Sequence, residues 1–209
     1  MDILGKLFGS QGRVKILRLF FLNPLGVFDA DMVSEKSKVR LVDTKKELKI
    51  LKSAGIIGDK VFTKEIFANR GGKKDRSTKR VPGYQLSAPA SIPPHFKDLI
   101  ISQTPLYRDE IARRFRGVGK IKFLAVSGIF INEPNARVDL FIVGDNIKNR
   151  LVENELRSIE SEIGKELSYG TLDTEEFLYR VSIYDKFVRD VLDFHHDTVI
   201  DKLGVEEGK

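Results

Sequence analysis

The stretch Glu47–Lys60, ELKILKSAGIIGDK, decides how the first half of this chain folds. Leu48 and Leu51 stand three apart, as buried positions of a helix do, while Lys49 and Lys52 fall off that stripe. Gly55 follows the last periodic residue, where a left-handed backbone can close a helix. The apolar pair Ile56-Ile57 then opens a segment of strand character. A helix that stops on glycine and passes straight into a strand sets the reading on both sides of it.

Working back from that point, VRLVDTKKELKILKSAG predicts one helix, with Leu41, Leu48 and Leu51 inward and Asp43, Lys45, Lys46, Lys49 and Lys52 outside the stripe. DADMVSEKS predicts a shorter helix capped by Asp29 or Asp31. SQGRVKILRLFFLN predicts another, capped by Ser10, with Val14, Ile16, Leu17, Leu19, Phe20 and Phe21 as a broad apolar face. Asn23-Pro24 ends it, because the residue before proline is biased out of the helical region. Working forward, IIGDKVFTKEIFANR and RVPGYQLS flank the polar, glycine-containing GGKKDRSTK, which predicts a hairpin.

Three helices followed by a hairpin, together with the 47–60 stretch, resemble the winged helix-turn-helix regulators of bacteria and archaea over roughly residues 9–86. In that family the recognition helix ends in a leucine-spaced run and a small-Gly pair, and the wing begins on an apolar pair. The resemblance implies binding of double-stranded DNA through the third helix and the wing. On the helix, Arg40, Thr44, Lys45, Lys46 and Lys49 are the candidate contacts; on the wing they are Arg70, Lys73, Lys74, Arg76, Lys79 and Arg80, opposed only by Asp75. A helix in the major groove needs short polar side chains near its start and basic ones along its exposed face. A basic hairpin tip suits phosphate contact or the minor groove. A lysine-rich face alone is a solvated face, so the DNA reading rests on helix, tip and charge together. Lysine is a poorer bidentate base reader than arginine, which points toward phosphate contact.

Charge supports the same division. The 209 residues carry a net +6, but through position 90 there are 19 Lys+Arg against 9 Asp+Glu, and after it 17 against 21. A basic half followed by a mildly acidic one suggests that only the first meets a polyanion. Cysteine is absent, which excludes disulfides, thiolate metal sites and cysteine nucleophiles, and makes a reducing cytoplasm the expected location. The amino end lacks a signal-peptide layout and no apolar run reaches membrane-spanning length. SAPASIPP, residues 87–94, reads as a linker. The expected organisation is a DNA-binding domain over 1–86, a linker and connecting helix over 87–119, and a second domain over 120–209. In the connector, Pro105 fits a first helical turn, Leu106, Ile111 and Phe115 face one core, and Arg113, Arg114 and Arg116 are its solvated back.

In the second domain KIKFLAVSGIF and ARVDLFIVGD read as strands, NIKNRLVENELRSIESEIGKEL as a helix and ELSYGTLD as a third strand. TEEFLYRVSIYDKFVRDVLD reads as further helix with Thr174 as its cap, and FHHD as a polar turn. The whole is α+β, the second domain a small α/β unit with a mixed sheet. From Lys120 to Gly204 this order resembles the nucleotidyltransferase-like domains of the polymerase-β superfamily. That family carries a Gly-Ser turn for phosphate, Asp-x-Asp for two magnesium ions, and a third carboxylate on a later strand. Here the turn is Ser127-Gly128, Arg137 replaces the first aspartate, Asp139 keeps the second, and Ser168, Tyr169 and Gly170 occupy the region of the third. Two magnesium ions need several convergent carboxylates. The expectation is a catalytically dead domain with no metal and no cofactor. Ser127, Gly128, Arg137 and Asp139 are then a ligand-binding remnant, and the domain serves homodimerisation or sensing of a nucleotide or small anionic effector. The function expected is a cytoplasmic DNA-binding transcriptional regulator. Its rivals are a divergent magnesium-dependent nucleotidyltransferase using Asp139, and a protein-binding adaptor.

Overall fold

The computed structural model describes residues 3–70, 73–87, 92–102, 108–131, 133 and 135–205, with the side chains of 66–70, 73–77, 94, 102 and 108 left out. Helix and strand are mixed, in two separate sheets, so the class is α+β. The chain divides into two compact units, Met1–Thr104 with Glu160–Lys165, and Pro105–Ile159 with Glu166–Lys209. No helix among the described residues is long and apolar enough to cross a membrane.

The first unit begins with α1 (Ile3–Leu7), α2 (Gln11–Leu22), α3 (Ala30–Ser37) and α4 (Leu41–Ser53). Ser10 caps α2 by accepting the Arg13 N–H at 3.1 Å, and Asn23 closes it by donating to Leu19 O at 2.7 Å. Of the two candidate caps of α3, Asp29 is the one used: it accepts the Met32 N–H at 2.8 Å. α3 turns into α4 through Lys38, whose φ of 52° is left-handed. Gly55, at φ +74°, receives α4 as expected, its N–H donating to Lys52 O at 3.0 Å. The chain then runs into β1 (Ile57–Arg70), which pairs antiparallel with β2 (Lys73–Leu86) from Ile57↔Leu86 out to Arg70↔Lys73. A ribbon of that length reaches roughly 45 Å.

The apolar faces meet in a core of Phe20, Phe21, Val33, Leu48, Leu51 and Ile57, each at most 2% exposed. Each such side chain contributes about 1.5–3 kcal/mol relative to exposure. α5 (Pro94–Ser102) belongs to this core, although the sequence suggests a connector there. Ile100 is fully buried, and the Phe96 ring packs edge-on against Phe8 and Phe21 at 6.0 and 5.9 Å. Phe96 and Ile100 stand four apart, so one helical face delivers both. Pro105 and Leu106 lie outside the described residues.

The second unit contains α6 (Arg108–Arg114), a 3₁₀ turn at Phe115–Gly117, β3 (Lys120–Val126), a 3₁₀ turn at Gly128–Phe130, β4 (Leu140–Asp145) and α7 (Asn149–Ile163) as far as Ile159. β5 (Tyr169–Leu172), α8 (Thr174–Ser182), α9 (Lys186–Asp193) and β6 (Asp197–Asp201) follow. The sheet order is β5-β4-β3-β6, with β4 parallel to β5 and the other neighbours antiparallel, so it is mixed as expected. One face of the central strands, Phe123, Ala125, Phe141 and Val143, packs on Phe177, Val188 and Val191. The Phe123 and Phe177 rings stack at 5.9 Å.

Three readings of this half need correction. The closing helical segment is two helices, because Tyr184 takes a left-handed φ of 57° and Asp185 caps α9 by accepting the Val188 N–H at 3.1 Å. Asp173, not Thr174, caps α8: its carboxylate accepts the Glu176 N–H at 2.7 Å, and Thr174 is the buried first residue of the helix. The FHHD turn leads into β6, an edge strand absent from the sequence reading. It is half-buried along its whole length and so has no inside-outside alternation to betray it.

Candidate functional site

α4 has two faces. Thr44, Glu47, Leu48 and Leu51 are buried, while Arg40 at its start and Val42, Lys45, Lys46 and Lys49 are exposed. This corrects the placing of Thr44 among the DNA contacts. Thr44 is 0% exposed and donates its hydroxyl to Val39 O at 3.2 Å, closing the α3–α4 turn from within. Ser34 Oγ donates to the same carbonyl at 2.7 Å. Glu47 holds α4 against α2: its carboxylate accepts the Arg13 Nε at 2.7 Å, and Arg13 also donates to Phe8 O at 2.9 Å.

The cations of this unit sort by whether they have partners. Arg40 pairs with Asp43 at 2.7 Å, and Lys52 with Asp59 at 2.6 Å. The hydrogen bond to Asp59 raises the Lys52 ammonium above its ordinary range. Lys64 on β1 reaches back to Asp29 at 2.6 Å, tying the hairpin to the α3 cap. Burial pushes the Asp29 carboxyl up, but the Lys64 ammonium and the Met32 N–H outweigh it and hold the group below the carboxylate range. The same contact raises Lys64. Lys45, Lys46 and Lys49 form no ion pair among the described residues. They face outward together from one side of α4, as Lys38 and Lys60 also face outward elsewhere in the unit.

On the hairpin, Lys79 and Arg80 are exposed and, as successive strand residues, point to opposite faces of the ribbon. Lys79 stands opposite Lys64 in the register, a like-charge pairing that Asp29 offsets from the Lys64 side. Arg70, Lys73, Lys74 and Arg76 extend the ribbon toward its tip; their backbone is strand, and their side chains lie outside the described residues.

In the second unit the fold brings Ser127, Gly128 and Asp139 together. Both Asp139 oxygens are taken: Oδ1 accepts the Ile129 N–H at 2.9 Å, and Oδ2 accepts the Ser168 N–H at 2.8 Å and its hydroxyl at 2.7 Å. The Ser127 N–H donates to Asp139 O at 2.9 Å, and Ser127 Oγ donates to His195 O at 2.8 Å. Gly128 adopts φ +56° and lies so close to the Asp139 carboxylate that a Cβ there would strike it. The turn is therefore strapped onto the end of β3 by the aspartate. Arg137 stands apart, its guanidinium 6.0 Å over the Phe187 ring. No cluster of three or more His, Asp or Glu side chains suited to a metal ion occurs among the described residues.

No protein family, curated protein or solved structure matches the chain. The functional reading therefore rests on its own residues. The sequence reading did not anticipate Ser168 as the partner of Asp139, although both follow from strand ends that lie side by side. It also left Arg116 on the solvated back of a helix. Arg113 does sit there, whereas Arg114 is mostly shielded, its side chain 17% exposed and paired with Glu110 at 2.7 Å, and Arg116 borders a cleft with Lys120, Lys122 and Lys202.

Proposed function

We propose that this protein is a DNA-binding transcriptional regulator of winged helix-turn-helix type, contacting duplex DNA through α4 and the β1–β2 hairpin. The observation that carries the reading is the segregation of α4. Its inner face is locked by Thr44, Glu47, Leu48 and Leu51, while Lys45, Lys46 and Lys49 point outward without acidic partners among the described residues. Cations engaged with Asp29, Asp43 and Asp59 serve the fold or its immediate surface; Lys45, Lys46 and Lys49, grouped on one helix face, are available to phosphates. Lys79 and Arg80 extend that availability along the hairpin. Fluorescence anisotropy with a short labelled duplex tests the proposal. Wild type binds at low salt, and the Lys45→Ala, Lys46→Ala, Lys49→Ala variant binds substantially more weakly with unchanged thermal stability. Absence of duplex binding by wild type sinks the reading and favours the adaptor alternative.

The second domain is proposed to be nucleotidyltransferase-like in descent and without transferase activity. Asp139 commits both oxygens to Ile129 and Ser168, and its neighbour at the position of a second carboxylate is Arg137. Homodimerisation is part of the same proposal, supported by Leu178, Tyr179, Ile183 and Tyr184, each more than half exposed around the end of α8. Light scattering coupled to gel filtration tests it: a dimer for wild type and a monomer for Tyr179→Ala with Tyr184→Ala is the expected pair of results.

A further inference from the structure

The second unit contains a concave, strongly basic feature at the opposite end of β3 from Asp139. A cleft of about 390 Å³ opens where β3 begins and β6 ends, lined by Arg116, Lys120, Ile121, Lys122, Ile200 and Lys202. Strand pairing builds it. β6 runs antiparallel to β3, and the Lys202 N–H donates to Lys122 O at 2.8 Å, which sets the two lysines side by side across the ladder. Arg116, in the 3₁₀ turn after α6, joins the lining.

The charge is local and largely uncompensated. Lys122 shares Asp145 at 3.0 Å, whereas Arg116, Lys120 and Lys202 form no ion pair among the described residues. Asp145 lies opposite Lys120 in the strand register and is the one acid ion-paired with these cations among the described residues. Asp201, the neighbouring acid on β6, gives one carboxylate oxygen to the Leu203 and Gly204 N–H groups at 2.9 Å each. Ile121, 7% exposed, and half-buried Ile200 give the lining its apolar part. Apolar lining lowers the local dielectric and strengthens the attraction of the cations for an anion.

We propose that this cleft binds a small anion carrying two or more phosphoryl groups. Four cations from three stretches of chain suit several phosphoryl oxygens, and the volume falls in the ordinary range of small-ligand pockets. A small ligand is favoured over a nucleic-acid backbone by charge: from position 91 onward the chain holds 17 Lys+Arg against 21 Asp+Glu. A long polyanion would gain little from the rest of so acidic a sequence, while a small one needs only the local cations. The cleft shares no residue with the set proposed to contact DNA, and stands or falls independently of it.

The test uses the full chain and inorganic pyrophosphate in isothermal titration calorimetry. Three proteins are compared: wild type, Lys120→Ala with Lys202→Ala, and the α4 variant Lys45→Ala, Lys46→Ala, Lys49→Ala. The expected result is one saturable site in wild type and in the α4 variant, weakened about tenfold or more in the cleft variant because two charge-assisted hydrogen bonds are removed. Arg116→Gln, also at the rim, gives the same direction of change, and equal melting temperatures without pyrophosphate confirm intact folding. No saturable binding by wild type, or equal binding by the cleft variants, overturns the proposal. So does a third pattern, in which pyrophosphate has no saturable site but the cleft variants lose duplex affinity; the cleft would then be a backbone contact.

Discussion

Asp139 and Ser168 hold one another through main chain and side chain at once. The Asp139 N–H donates to Ser168 O at 2.8 Å, and the Asp139 carboxylate accepts both the Ser168 N–H at 2.8 Å and its hydroxyl at 2.7 Å. The pair joins the approach to β4 to the approach to β5, and Oδ1 carries the join on to the turn after β3 through Ile129. A carboxylate so engaged is a structural acceptor. Asp139→Ala is expected to destabilise the protein by about 1–3 kcal/mol, since the donors it serves are left without a charged partner. Ser168→Ala, which removes only the hydroxyl, is expected to cost about 0.5–1.5 kcal/mol. Chemical denaturation of both variants gives the comparison, and equal or negligible losses would count against the staple.

Gly128 answers to the same carboxylate. Its left-handed φ of 56° disfavours a side chain, and the closeness of Asp139 leaves no room for a Cβ. Gly128→Ala is expected to cost about 1–3 kcal/mol. Part of that loss comes from collision with Asp139 and part from backbone strain. In the Asp139→Ala background the penalty should therefore shrink without vanishing, a non-additivity that a double-mutant cycle measures.

Asp29 does two jobs that substitutions separate. As the α3 cap it accepts the Met32 N–H, and as a charge it anchors Lys64 of the hairpin. Asn retains the cap and loses the charge; Ala loses both. Asp29→Ala should cost about 1 kcal/mol or more, and Asp29→Asn less. The pH dependence has a defined sign. Because the folded carboxyl titrates below its unfolded value, its stabilisation is present above about pH 4 and is lost as pH falls through the lowered folded value. The raised Lys64 contributes below about pH 10 and loses its part as pH rises through its folded value. Thermal melts of wild type and Asp29→Asn across the acid range should converge at the lowest pH.

Glu47 lies on the helix proposed to meet DNA and serves its placement. Its pairing with Arg13 is mostly shielded, with side-chain exposures of 12% and 25%. Removing one member leaves a poorly hydrated charge, so Glu47→Ala and Arg13→Ala should each cost about 1–3 kcal/mol, below the figure for a fully buried pair. The double variant should lose less than the sum.

α4 was legible because Leu48, Leu51 and Gly55 repeat a helical period and then end it. Thr44 was legible by the same rule, standing four before Leu48 and seven before Leu51, but residue type suggests the DNA face and position buries it. The hairpin was legible as a hairpin but not in its length: residues 73–79, expected in the polar tip, are strand and pair out to Arg70↔Lys73. β6 was not legible, since its partner β3 is distant in sequence and its burial does not alternate. The basic cleft stays hidden with it: Arg116, Lys120 and Lys202 become neighbours only once β6 pairs with β3. The departures from the transferase pattern could be read from Arg137 and Ser168 directly, whereas the saturation of Asp139 by Ile129 and Ser168 needs the fold.

If the outward lysines of α4 touch DNA phosphates, the salt dependence of duplex affinity must carry their signature. Each neutralised phosphate contributes about 0.9 to the slope of log affinity against log salt. Duplex affinity is therefore measured across a salt series for wild type and for the variant Lys45→Ala, Lys46→Ala, Lys49→Ala. The variant is expected to show a shallower slope, by up to about 0.9 for each lysine that neutralises a phosphate in wild type. A wild-type protein with no duplex affinity at low salt, or a variant with an unchanged slope, would contradict the DNA-binding role of α4.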